Sequence, residues 1–522
     1  MGRAAEPERP AACTRGANLR PITAVTRSLG ARAVSGLKWG GLSAVAGALL
    51  QLGFTAAMAR LLLPADFGLM AMCMVALRLF SYFSQLGLGA ALVQRERLTP
   101  GDVRLALGLT WVVCTAGALC VVASAPALAW FFRSPEVVPL LRALAPSLLL
   151  VGLGAVPVAL LRRELRFREQ AVVETVSYAL GFGVVGVAAA WSGAGVWSLV
   201  ATSYAQAALS LAGAYALTRH PLRPSLRGDR ATLLGYGARH SLVSFLEFLS
   251  ANLDAAVVGR LLGEATLGIY NRALLLTSQP VERAAGVVAR VLFPLLSAVQ
   301  ADRGKVGGAF LLGVALIGVF GGAFSLGVSA AADDVVRVIL GPRWVEAGPV
   351  VQVLALAVPL AFMSQMAGVV CDALALLRFK LRVQGLGLAV IAGLMLALYP
   401  AGARGIAWAI VAGEALRLAV FLVFLTRELG CASADVGRVL SAVAVTALLA
   451  YGACAGASAL AARWSLGPLA ALGLDGLAGL LALALGAFLA LRLVEGTAPG
   501  RLADASVPGW QRLRLRLAGE RT

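Results

Sequence analysis

The sequence predicts an all-α polytopic membrane protein of about fourteen transmembrane helices, arranged as two six-helix repeats with two helices appended. Three observations predict it: an apolar composition, basic residues concentrated in alternate connections, and an internal match at an offset of 200 residues. Of 522 residues, 60% are hydrophobic and 14% charged, with a mean hydropathy of +0.85, whereas soluble proteins run at about 45–50% apolar. A net charge of +19 would suggest nucleic-acid binding in a soluble chain. Here the basic residues lie mostly between apolar runs, where they set topology, so no nucleic-acid partner is expected.

A hydrocarbon core of about 30 Å takes roughly 20 apolar residues as helix. Runs of that kind fall at 39–60, 67–93, 105–132, 138–161, 170–191, 194–218, 240–262, 267–299, 306–331, 349–376, 381–400, 404–427, 438–460 and 469–493. With the N-terminus inside and basic residues near span ends assigned to the nearer face, 32 of the 45 Lys and Arg residues fall on the cytoplasmic side, 8 on the outer side and 5 deep within spans. That asymmetry predicts an even number of spans with both termini cytoplasmic. No small-residue cleavage site follows the first run, so it is expected to stay in the membrane.

The halves are read from a repeat. ARLLLPADFGLM at 59–70 matches GRLLGEATLGIY at 259–270 in five of twelve positions, Arg60/Arg260 and Gly68/Gly268 among them. GVWSLV at 195–200 echoes GIAWAIV at 405–411. The expected organisation is a basic tail (1–36), a first six-helix bundle (37–219), a cytoplasmic linker (220–236), a second bundle (237–427), two additional helices (428–493) and a second basic tail (494–522). Six spans per half is even, so the halves share orientation about an axis along the membrane normal, as in transporters that rock around a central site.

Several classes are excluded. Seven scattered cysteines form no CxxC pair, the two histidines (His220, His240) form no HExxH motif, and no GxxxxGK[ST] loop is present. No disulfide framework, metal site, cofactor or ATP-driven motor is expected, and the connections are too short for a soluble catalytic domain.

The informative residues are the ionisable ones inside spans, each needing a partner, a wet cavity or a route to the interface. Arg272, Arg283 and Arg290 are spaced by 11 and 7 residues, which returns each to one helix face together with Gln279. His240, Glu247 and Asp254 form a complementary stripe at spacings of seven. Arg78 with Gln85, and Arg417 three residues after Glu414, complete the set. One reading pairs the arginines with Glu247 and Asp254 to hold two helices together. The other places Arg78, Arg272, Arg283, Arg290 and Arg417 along a hydrated cavity as receivers of an anion, since guanidinium meets phosphate oxygens bidentately and stays charged. Gln85 and Gln279 would then be polar wall, and Glu247 or Asp254 could couple to H+ or Na+.

ARLLLPADFGLMAM (59–72), QLGLGAALVQR (85–95), LLRRELRFR (160–168), GAGVWSLV (193–200), NLDAAVVGRLLGEATLGIYNRA (252–273), VLFPLLSAVQ (291–300) and LGPRWVEAGPVVQVLAL (340–356) resemble the Wzx/WzxC-like oligosaccharide flippases of the MOP superfamily. The resemblance covers most of 37–427 and implies two six-helix bundles around a central cavity. It also implies transfer of undecaprenyl-pyrophosphate-linked oligosaccharide to the outer leaflet of a bacterial inner membrane. A polymerase or chain-length regulator of the same pathway is an expected partner besides membrane lipid. The alternatives are a MATE-like cation-coupled exporter, with Glu247 and Asp254 as its cation site, and a multi-spanning glycosyltransferase or polymerase, disfavoured by the short outer connections.

Overall fold

The computed structural model describes residues 46–84, 92, 98–221, 223–226, 241–298 and 302–494. Both expected tails, Gln85 and His240 lie outside the described residues, as do the side chains of Glu247 and Arg290. Among the described residues all regular structure is helical, and eight runs are long and apolar enough to cross a membrane.

In chain order the helices are α1 (Ala46–Leu61), α2 (Pro64–Ser84), α3 (Pro100–Phe132), α4 (Val137–Arg163), α5 (Phe167–Trp191), α6 (Val196–Thr218), α7 (Ser241–Ala298), α8 (Arg303–Ala330), α9 (Pro342–Ala373), α10 (Leu377–Leu398), α11 (Gly402–Glu428), α12 (Ser433–Arg463) and α13 (Pro468–Val494). Local chemistry fixes several ends. Thr99 and Asp102 form a reciprocal capping box at the start of α3, with Pro100 in the first turn where no donor is needed. Asp302 caps α8 by accepting from Lys305 N at 3.1 Å. The α4–α5 and α9–α10 turns share one construction, in which a non-glycine residue in the left-handed region, Leu165 or Ala375, ends one helix and the next begins two residues later.

One boundary departs from the sequence reading. A connection was expected at 263–266, but Gly263 alone breaks α7, at φ 83° and ψ −179°. Only glycine adopts that conformation without strain, so the helix resumes at once and Glu264 opens the second limb.

The cores are distributed unequally. One continuous core gathers Met58–Leu77, Phe132–Leu148, Leu199, Val258–Leu276, Val335–Leu354 and Ile406. These residues flank the α1–α2, α3–α4, α5–α6, α8–α9 and α10–α11 junctions and the Gly263 break. At the other end the cores are separate: one holds Phe310, Met366 and Phe421, while others hold Leu107 with Leu160 and Leu161 with Ala214. Helices α1–α6 and α7–α11, here called the first and second halves, are therefore joined through one core at one end, the sealed end, and hold separate cores at the other.

The seal is built from backbone-close contacts. A Cβ on Gly68 would overlap the Glu264 carbonyl, and one on Gly268 would overlap the Pro64 carbonyl. Arg60 donates to Val338 O at 2.9 Å, and Arg260 donates to Phe131 O at 2.6 Å and Trp130 O at 3.2 Å. Trp344, fully buried, donates Nε1 to Ala59 O at 2.8 Å. The last two helices pack on α8, where Ala323, Ala450 and Ala482 share a small core.

Candidate functional site

Beneath the sealed end lies a cavity of about 540 Å³ walled by α1, α2, α5, α6 and both limbs of α7. The α5 wall passes through a wider π-helical stretch, Ala179–Gly186, which presents Phe182 beside Tyr178, their rings stacked at 4.4 Å. Such insertions recur at functional positions in helices.

Of the sequence-predicted residues, Arg78, Asp254, Arg272 and Gln279 line this cavity. Arg78 reaches across from α2 toward Asn252 Oδ1 on α7, at 3.5 Å. The Asp254 carboxylate takes one hydrogen bond at each oxygen, from Tyr270 Oη–H at 2.7 Å and from the Ala255 N–H at 2.8 Å. Gln279 donates to Glu282 at 3.3 Å, and Glu282 also lines the cavity. Arg272 has no carboxylate partner among the described residues: its guanidinium lies 4.6 Å from the Phe67 ring centroid and donates to the Asn271 side chain at 3.3 Å. Its Nε is buried without an acceptor among the described residues. Arg272 forms no ion pair with Asp254, one of the two carboxylates of the pairing reading; the side chain of the other, Glu247, lies outside the described residues.

The remaining predicted residues are placed otherwise. Arg283 donates to Gln51 on α1 at 3.2 Å, tying the two halves at the edge of the cavity. Arg417 does not line the cavity; it pairs with buried Glu414 at 2.5 Å within α11 and packs on Gly387 of α10. Sequence reasoning missed Phe67, Asn252 and Tyr270. Phe67 and Tyr270 read as ordinary apolar positions, and the Asp254–Tyr270 contact spans sixteen residues across a break that periodicity does not reveal. No group of three potential metal ligands occurs among the described residues.

Comparison with known proteins gives these relations. A profile described as polysaccharide biosynthesis protein matches residues 57–349, more than half of the chain. The chain is 26% identical over 334 residues to the lipopolysaccharide biosynthesis protein WzxC of Escherichia coli (strain K12), covering 63% of this chain and 67% of that one. It is 29% identical over 302 residues to the succinoglycan biosynthesis transport protein ExoT of Rhizobium meliloti (strain 1021), covering 57% and 60%. The matched region thus spans about three fifths to two thirds of these relatives. Among solved structures, the lipid II flippase MurJ in an inward closed conformation aligns with a TM-score of 0.59 at 12% identity, over 89% of this chain and 98% of that one. That likeness is one of fold.

Proposed function

The chain belongs to the polysaccharide biosynthesis protein family, and from that premise we propose that it is a flippase rather than an enzyme. It carries undecaprenyl-pyrophosphate-linked oligosaccharide repeat units from the cytoplasmic to the outer leaflet of a bacterial inner membrane, for O-antigen, capsule or exopolysaccharide assembly. The printed names of the relatives, lipopolysaccharide biosynthesis and succinoglycan transport, support the substrate class. One observation carries the reading: Arg272 lines the cavity with no carboxylate neutralising it among the described residues. A sequestered guanidinium without a counter-ion is costly unless an anion arrives, and pyrophosphate is such an anion. Arg78 faces the same space, while the Asp254 carboxylate accepts from Tyr270 and Ala255.

Fourteen spans, with the two limbs of α7 counted separately, form two six-helix repeats at 37–219 and 237–427 with α12 and α13 appended. Both termini are cytoplasmic, which puts the sealed end on the outer face. The sugars and pyrophosphate enter the cavity from the cytoplasm while the polyprenyl chain stays in lipid. Outward movement of a negative headgroup across an inside-negative membrane gains about 2.3 kcal/mol per charge per 100 mV. Glu247 or Asp254 couples to a cation if one is used, and a polymerase or chain-length regulator receives the product.

The test is the pool of undecaprenyl-linked oligosaccharide in a deletion strain, measured by lipid extraction and mass spectrometry with surface polysaccharide scored alongside. Completed repeat units accumulating on the cytoplasmic side are expected. An unchanged pool in a strain without a paralogue overturns the reading in favour of a small-molecule exporter using Glu247 and Asp254.

A further inference from the structure

Phe67 stands between two features that the flippase reading treats separately, the anion-receiving arginine and the outer seal. On one side its ring carries the Arg272 guanidinium at 4.6 Å. On the other it meets the Trp344 ring at 5.4 Å and 66°, edge to face. Trp344 is fully buried and bonded to Ala59 O. The next residue along α2, Gly68, is the one that touches the Glu264 carbonyl. Phe67 is itself 4% exposed yet borders the cavity. An unbroken run of contacts therefore leads from the cavity, through Arg272, Phe67 and Trp344, to the α1–α2 junction.

We propose that Phe67 is a positioning residue that couples headgroup binding at Arg272 to release of the outer seal. The inference rests on the reading of Arg272 as the anion receiver. A guanidinium stacked on a ring keeps its edge free for oxygens, so the ring preorganises Arg272 for a pyrophosphate. The same stacking depends on net positive charge. When phosphate oxygens neutralise the guanidinium and draw it into the cavity, its attraction to the ring falls. Phe67 then keeps its edge contact with Trp344 but loses the cation that pins its cavity side, and α2 is eased at the position where it is clasped to α7. An empty cavity keeps the seal shut, and a filled one loosens it.

The experiment uses the full chain in lipid nanodiscs, in a background lacking the native cysteines, with spin labels at Arg142→Cys and Arg404→Cys. Both positions are exposed, one in each half. Inorganic pyrophosphate is the probe, its binding read by calorimetry and the interlabel distance by pulsed electron resonance. The unaltered Phe67 protein binds and its outer distance lengthens, and Phe67→Trp does the same. Phe67→Leu, and Phe67→Met as a second variant of similar bulk, bind about tenfold more weakly and start from an already lengthened distance that saturation leaves unchanged. Lengthening in either variant at the occupancy that suffices with Phe67 overturns the coupling role while leaving the anion site intact. Failure of the Phe67 protein to bind, or equal binding by Arg272→Gln, overturns the anion reading and this inference with it.

Discussion

Gly68 and Gly268 make reciprocal contacts across the two halves: the first rests on the carbonyl of Glu264, the second on that of Pro64. The four positions pair at a constant offset of 200, and each of the two segments supplies both a glycine and a carbonyl. Adding one methyl at either site forces the helices apart. Gly68→Ala and Gly268→Ala should each cost about 1–3 kcal/mol, seen as lowered thermal stability in detergent, and to a similar extent. A silent substitution at one of the two would contradict the reciprocal contact.

Charge removal in the cavity should act on transport. Arg272→Gln and Arg78→Gln, assayed by complementation of the deletion strain, are expected to reduce flux about 10- to 100-fold, the value of a charge-assisted hydrogen bond. Expression should stay normal. Arg283→Ala should also reduce flux, by loosening α7 from Gln51 on α1. Wild-type flux in a normally expressed variant refutes the role of the residue changed.

Arg417 behaves differently, because its partner is Glu414 rather than a substrate. Removing one member of a buried pair strands the other, at about 3–5 kcal/mol. Arg417→Gln should therefore lower thermal stability strongly, and the Glu414→Gln/Arg417→Gln double variant should recover part of the loss. Additive single losses in that cycle would show that the two side chains do not interact.

His220, beyond the end of α6, gives a pH signature. Burial pushes its ring below the ordinary histidine value, against an opposing hydrogen bond to Pro221 O at 3.2 Å. The unfolded chain binds this proton more readily than the folded one, so stability rises with pH through this window. The contribution is complete above the unfolded value of about 6.5 and is lost as acidification proceeds toward the depressed folded value. Melting curves between pH 7.5 and 5 should show this decline, and His220→Gln should flatten it. An identical slope in the variant would remove His220 as its source.

Much of the helical layout is legible in the sequence because a bilayer-spanning helix must be long and apolar, and charge interrupts such runs only where the chain leaves the membrane. The runs at 105–132, 138–161 and 170–191 fall within helices of nearly those limits. What hydropathy does not carry is conformation at a single residue, so the break at Gly263 looked like a short connection. The site was half legible for a related reason. A stripe argument gives the face of a helix but not which neighbour meets it: Arg272 found a cavity and Arg283 found Gln51, whereas Arg417 paired with Glu414 three residues before it, a spacing the sequence does carry. Phe67 carried no signal, since an aromatic residue on an apolar helix is expected everywhere.

Joining both halves through one core at the sealed end has a consequence for the membrane as an electrical insulator. A transporter wide enough for a sugar headgroup would, if open at both ends, short-circuit the ion gradients on which the cell depends. Here the barrier is a thick layer of interlocked apolar side chains continuous across the halves, not a single movable side chain. A layer of that kind opposes ion passage while the cavity is idle, because a charge entering apolar surroundings is costly.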